Sequence, residues 1–195
     1  MIGDFVTERL ALRPLKVERL NLFVGLNSDP AVMECITGRA STVEETADEL
    51  KGSLGARWLV FEREGMDFLG WVGAIPSPAG EEYEIGWRFK RAAWGRGFAT
   101  EATRELIDRV FATGAQRVFA ETIAVNTRSR AVMERLGLRT VGRACSISRT
   151  RSRAPWVRSS TKCSVPSGML GIDESCPVAR SSIGPTSSTS SAELT

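Results

Sequence analysis

Hydrophobic positions in the first 144 residues fall into short alternating runs and longer runs with helical spacing. Residues 7–15 alternate, with Leu10 and Leu12 on one side, and predict a strand. Residues 16–27 predict a helix, and Ser28-Asp29-Pro30 a turn that opens a short second helix. Ser41 and Glu44 have the spacing of a capping box, with Ser41 as the cap, and predict a helix to about Leu54. Strands follow over 58–62, 68–75 and 82–89, joined by turns at 64–67 and 76–80. A loop over 90–97 leads into a helix over 98–113. Its Ala99, Ala102, Leu106, Ile107, Val110 and Phe111 recur with a 3.6-residue period, and Gly114 ends it. Residues 117–124 are rich in β-branched and aromatic side chains and predict a strand, 126–136 a helix with Ala131, Val132 and Leu136 inward, and 138–141 the start of another strand. The fold class is α/β (α+β), a mixed, mostly antiparallel sheet flanked by helices.

The pattern stops at residue 145. Fourteen of the last 51 residues are Ser, against five in the first 144. The domain boundary is therefore placed at 144, with 145–195 expected to be a disordered Ser/Arg-rich tail. A reading-frame change near Ala144 would produce so abrupt a shift; a genuine disordered extension is the alternative. Charge divides at the same place. The net charge of +3 lies wholly in the tail, while basic and acidic residues cancel in the body, so net charge lends no support to nucleic-acid binding. Cysteine follows suit, with Cys35 in the body and Cys145, Cys163 and Cys176 beyond it. No CxxC pair is present, so neither a structural zinc nor any other metal is expected, and Cys35 is read as a small core residue. The first ten residues carry Asp4, Glu8 and Arg9, unlike a secretory signal, and no apolar run is long enough to span a membrane. A cytoplasmic protein with no membrane partner is the expectation. The absence of histidine excludes Ser-His-Asp and Cys-His nucleophiles and HExxH zinc sites, leaving carboxylates, hydroxyls, amines and backbone for acid–base work.

The stretch from Trp94 through Gly95, Arg96, Gly97, Phe98, Ala99 and Thr100 joins a strand to the longest predicted helix. Its glycines permit a tight turn and close approach of a ligand. The unpaired N–H groups of the helix's first turn, aided by the helix dipole, make a phosphate site, with Arg96 at its rim. A Walker loop lacks its Gly-Lys-Ser/Thr here, and a Rossmann fingerprint its third glycine, whose position holds Thr100. Taken alone, the turn also fits a plain strand-to-helix connection.

Glu84-Ile-Gly-Trp87, the 94–102 loop, Asn126-Thr-Arg-Ser129 and Met133-Glu-Arg-Leu-Gly137 in this order resemble the GCN5-related N-acetyltransferase (GNAT) superfamily. With the opening Thr7-Glu-Arg-Leu-Ala-Leu-Arg13, the likeness over residues 7–144 is greatest to its RimJ/RimL branch of ribosomal-protein N-terminal acetyltransferases. The resemblance implies the GNAT fold and acetyl-CoA as co-substrate. Its pyrophosphate motif falls on Trp94, Gly97 and Ala99, with Trp94 in place of Gln or Arg, and the diphosphate would lie over residues 95–100. The pantetheine would pair with the strand at Trp87 to Phe89, where two strands splay apart, and with Asn126, whose position suits a helix N-cap equally.

Acetyl transfer to an amine requires removal of an ammonium proton, stabilisation of the thioester oxygen, and a proton for the leaving thiolate. Glu84 is the candidate base, with a structural or orienting carboxylate as the alternative, and a main-chain N–H near Phe89 the candidate oxyanion donor. Ser129 matches the branch's position for the thiolate acid, or is an ordinary surface serine. Glu101 reads as structural, since acidic residues favour a helix's first turn. Tyr83, the only tyrosine, faces the opposite side of the strand from Glu84. Trp58, Trp71 and Trp87 read as core, with Trp87 also placed to wall an acceptor pocket. The expected function is transfer of acetyl from acetyl-CoA to a primary amine of a protein N-terminus or small molecule, with oligomeric state left open. The alternatives are a catalytically inactive acyl-CoA-binding module impaired by an aberrant C-terminus, and a nucleic-acid binder using the Arg-rich tail.

Overall fold

A computed structural model describes residues 2–141 and 144–148. Among the described residues, eight strands form one sheet in the order β1-β2-β3-β4-β5-β6-β8-β7. They are β1 (Phe5–Val6), β2 (Leu10–Pro14), β3 (Arg57–Glu62), β4 (Phe68–Pro76), β5 (Glu82–Phe89), β6 (Arg117–Glu121), β7 (Arg139–Val141) and β8 (Ala144–Ser148). Every neighbouring pair is antiparallel except β5–β6. The helices are α1 (Leu20–Asn27), α2 (Pro30–Met33), α3 (Val43–Lys51), α4 (Phe98–Ala112) and α5 (Thr127–Arg135).

The sheet has a core on each face. On one, Leu10, Leu12, Trp58, Val60, Val72 and Ile85 pack against α4 and against Met133 and Leu136 of the α5 region. Leu106, Ile107 and Val110 of α4 are buried there, each worth roughly 2 kcal/mol by transfer. That burial fixes α4, and hence its N-terminus, relative to the strand that precedes it. On the other face, Leu59, Phe61, Phe68 and Trp71 pack against Phe23 and Leu26 of α1, Val32 of α2 and Leu50 of α3. Trp58 and Trp71 thus belong to the core as expected, on opposite sides. At Gly70 the strands approach so closely that a Cβ would lie 2.2 Å from the Arg88 carbonyl oxygen, and φ is +155°. Only glycine fits there.

Several sequence expectations need correction. The capping box starting α3 uses Thr42 and Glu45, one residue beyond the expected Ser41 and Glu44. Both registers satisfy the motif. Glu45 also pairs with Arg39, and this register turns Thr46 and Leu50 inward. Cys35 is half-buried rather than core, because α2 lasts a single turn and the N–H groups of Ile36, Thr37 and Gly38 fold back to the Met33 carbonyl at the surface. Strand β1 is too short to show alternation. The expected end of patterned structure at 144 is also passed. Strand β8 inserts between β6 and β7 through main-chain pairing on both sides, which asks nothing of side-chain pattern. The remainder of the tail, with its expected disorder, lies outside the described residues.

Candidate active site

Strands β5 and β6 pair only where Glu82–Glu84 meet Arg117–Phe119. Bonds from Lys90 N–H to Leu69 O and from Ser77 N–H to Glu82 O, both 2.8 Å, fix which edge of β5 each residue presents. Even-numbered residues direct their main-chain groups to β4, and odd-numbered ones toward β6. Beyond Glu84, β6 no longer pairs, so the C=O of Ile85, the N–H and C=O of Trp87 and the N–H of Phe89 line an open edge, while the Ile85 N–H completes the last pair by donating to Phe119 O. The Phe89 carbonyl is occupied by Trp94 Nε1–H at 2.8 Å. Trp87 is half-buried and Phe89 buried, both against the α4-side core.

That edge runs into the loop before α4. Gly95 (φ +74°) and Gly97 (φ +81°) are left-handed, and Gly97 caps the helix without a side chain. The first bond from the helix back to its cap is Glu101 N–H to Gly97 O, 3.0 Å. The N–H groups of Phe98, Ala99 and Thr100 therefore have no helical acceptor. The Thr100 hydroxyl is buried without a partner. Arg96 sits at the rim, paired with Glu62 at 2.8 Å and lying over the Phe98 ring. Trp94 is held on its other side by Arg128, whose guanidinium is 4.1 Å from the ring centroid, so the first turn of α5 adjoins the loop. Asn126 is the N-cap of α5, accepting from Ser129 N–H at 3.1 Å. The structural role thus holds for Asn126, and Ser129 is half-buried within the same turn.

Glu84 lies on the opposite face from Tyr83, as alternation requires; Tyr83 packs into the α4-side core. Partial burial pushes the Glu84 carboxyl above the ordinary range, Glu121 adds to the rise, and Arg57 opposes it. Glu84 lines a cavity of about 90 Å³ with Arg57, Trp71, Gly73, Ile75 and Gly86. A larger one, about 280 Å³, lies between α1–α2 and residues 90–92. Below the smaller cavity runs a polar network. Glu49 accepts from Arg57 at 2.7 Å, from Arg88 at 3.0 Å and from Asn27 at 2.9 Å, and Arg88 also donates to Asn27 Oδ1. Trp71 stacks on Phe23 at 6.2 Å, and the Arg57 guanidinium lies against both rings, 4.0 Å from the Trp71 centroid and 5.9 Å from that of Phe23. Glu101, in contrast, is engaged by Thr7 Oγ1 and by the main chain and guanidinium of Arg9. Burial pushes its carboxyl up, but those bonds outweigh it and leave it low, the state of a structural anchor.

The structure therefore gathers Trp87, Phe89 and Trp94 to Thr100 with the α5 N-terminus, and sets Glu84 on the face that bears the smaller cavity. Sequence reasoning missed Arg57 of β3, Arg88 of β5 and Glu49 of the largely polar α3. It missed Arg9 too, which donates to the Arg96 carbonyl at 3.0 Å and so braces the loop from β2. The signal for Arg57 and Arg88 was a guanidinium at an inward position of a strand.

A family model for the acetyltransferase (GNAT) domain matches residues 9–139. The FsC-acetyl coenzyme A-N(2)-transacetylase of Aspergillus fumigatus is 34% identical over 152 residues, 68% of this chain; the match spans 63% of that relative's length. Among solved structures, a GNAT-family acetyltransferase from Bacillus anthracis has a TM-score of 0.67 at 23% identity, covering 74% of this chain and 98% of that one. The ribosomal L7/L12 α-N-protein acetyltransferase RimL, solved with coenzyme A, has a TM-score of 0.63 at 17% identity, covering 73% and 93%.

Proposed function

This chain belongs to the GNAT acetyltransferase family, and from that premise we propose that it moves the acetyl group of acetyl-CoA directly to a primary amine. The observation that carries the proposal is the parting of β5 from β6 beside an uncapped helix N-terminus. Open strand-edge groups at Ile85 and Trp87 match the amides of a pantetheine arm, and the 95–100 N–H groups match a diphosphate. The named relatives act on nitrogen: the Aspergillus protein at an N(2) position, RimL at a protein α-amine.

In this reading Trp87 N–H, the open donor of β5 farther from the diphosphate loop than Phe89 N–H, faces the thioester oxygen and stabilises the charge that builds there. Glu84 takes a proton from the ammonium, directly or through water, freeing the nitrogen lone pair. A carbon–nitrogen bond forms and the carbon–sulfur bond breaks. Ser129 Oγ–H donates to the departing thiolate and is reprotonated, through solvent, by the second amine proton, while Glu84 gives the first to solvent. Asn126 keeps its side-chain amide N–H for the pantetheine while its oxygen caps α5.

Calorimetric titration with acetyl-CoA tests the cofactor half, and release of free CoA thiol with amine acceptors the transfer. Absence of binding heat overturns the proposal. Binding without turnover, unaffected by Glu84→Gln, establishes instead the inactive acyl-CoA-binding module. A loop variant gives a graded check. Gly97→Ala places a side chain at φ +81°, which costs about 1–2 kcal/mol. Thermal unfolding and titration together should recover that sum, as lost stability where the turn holds and as weakened acetyl-CoA binding, up to about thirtyfold, where it relaxes.

A further inference from the structure

This inference rests on the proposed acetyl transfer and concerns its acceptor. The smaller cavity is a slot cut into the sheet surface by an absence of side chains. Gly73 of β4 and Gly86 of β5 are direct cross-strand partners, and Arg57 of β3 pairs with Gly73, so the three form one row. The neighbouring rows are Trp71 with Arg88 on one side and Ile75 with Glu84 on the other. The two glycines leave the floor open between the Trp71 ring and the Ile75–Glu84 pair. An added Cβ at Gly86 would lie 3.6 Å from Trp71 Cζ3, ordinary van der Waals contact, and would occupy that floor.

Charge is distributed across the slot with opposite signs. Glu84 stands on one side. On the other, Arg57 and Arg88 share a single carboxylate, Glu49, so the cluster of three carries one positive charge in excess. Arg57, with 12% of its side chain exposed, belongs both to this cluster and to the slot lining. Placed over Trp71 at 4.0 Å and bonded to Glu49 through one nitrogen, its guanidinium is held in place and keeps further N–H donors suited to a carboxylate. The volume, about 90 Å³, equals some three waters and admits a small polar head group rather than a side chain.

We propose that this slot takes the head group of an amphoteric acceptor of the free amino acid class, its amine at Glu84 and its carboxylate at Arg57, with the amino acid side chain left outside. A peptide N-terminus brings the amine without the adjacent charge, and a polyamine brings a second positive charge toward Arg57; both are disfavoured.

The test uses the full chain with saturating acetyl-CoA and measures CoA release with the common amino acids, their carboxamides and decarboxylated amines, N-terminal peptides and spermidine. For the preferred amino acid, kcat/KM should exceed that of its carboxamide by at least about tenfold. Arg57→Gln should collapse that ratio to within about threefold of one, mainly through KM for the acid, and Arg57→Lys should fall between. Gly86→Ala should lower kcat/KM for the amino acid by at least about tenfold with acetyl-CoA affinity intact, and serves where Arg57→Gln fails to fold. Equal turnover of acid and amide by the unaltered protein, a ratio unmoved by Arg57→Gln, or acetylation confined to peptides or spermidine overturns the inference and leaves the acetyltransferase reading standing. Absence of acetyl-CoA binding removes that reading itself.

Discussion

Glu84→Gln is expected to lower kcat by about 10²–10³-fold, within the range a general base supplies, while acetyl-CoA affinity measured by calorimetry stays within about twofold. The substitution preserves the size of the side chain and removes only its ability to take a proton. The position of the carboxyl bears on both activity and stability. Partial burial and the Glu121 carboxylate raise its pKa, which brings a carboxylate nearer to the working range of a base. The deprotonated form is the active one, so the rate of the unaltered enzyme should fall as pH drops through that raised value, and this limb should vanish in the variant. Stability runs in the opposite sense. A carboxyl whose pKa is raised by folding favours the folded state at low pH, and that advantage is lost as pH rises through the folded value. At neutral pH the ionised Glu84 is therefore a burden on the fold, and Glu84→Gln should melt no lower than the parent. A variant that is both inactive and less stable would assign Glu84 a structural role.

Much of this arrangement was legible in the chain because it rests on local chemistry. The glycines at 95 and 97 and the 3.6-residue period from Ala99 to Phe111 identify a turn entering a helix, and that junction is where the proposed diphosphate site lies. The Asp29-Pro30 start of α2 and the Asn126 cap of α5 were readable for the same reason: a side chain bonding two or three residues along needs no tertiary information. The opposed placement of Tyr83 and Glu84 followed from the two-residue period of a strand.

The acceptor side was not legible in this way. Its features arise between elements distant in sequence. Arg57 and Arg88 become a cluster only when Glu49 is brought between them from α3, and Gly73 and Gly86 become a slot only once β4 and β5 are in register. The capping box failed by one residue because two local solutions were nearly equal, and a contact outside the motif, Arg39 with Glu45, favours the one adopted. Strand β8 escaped notice for the converse reason. Main-chain pairing to two neighbours can hold a strand whose side chains carry no pattern.

Removing Glu49 should be strongly destabilising. Glu49→Ala strands two guanidiniums, Arg57 with 12% and Arg88 with 8% of their side chains exposed, and also withdraws an acceptor from the buried Asn27. Breaking a buried charge pair by truncating one partner costs about 3–5 kcal/mol; because a quarter of the Glu49 side chain is exposed, the low end, about 3 kcal/mol, is expected. In a domain of about 150 residues that lowers Tm by roughly 6–12 °C. The pH dependence separates this cause from simple loss of packing. Burial by itself pushes the Glu49 carboxyl up, but the charges of Arg88 and Arg57 and their hydrogen bonds outweigh it, and the net shift is downward. A carboxyl lowered by folding contributes stability above its unfolded pKa and loses it as pH falls through the lower folded value. The Tm gap between Glu49→Ala and the parent should thus be widest near neutrality and narrow as pH falls below about 4.3, where the unfolded chain takes up the proton, toward the lower folded value. Melting curves across pH 3 to 8 would show it; a gap of constant size would mean that Glu49 supports α3 by packing and that Arg57 and Arg88 do not depend on its charge.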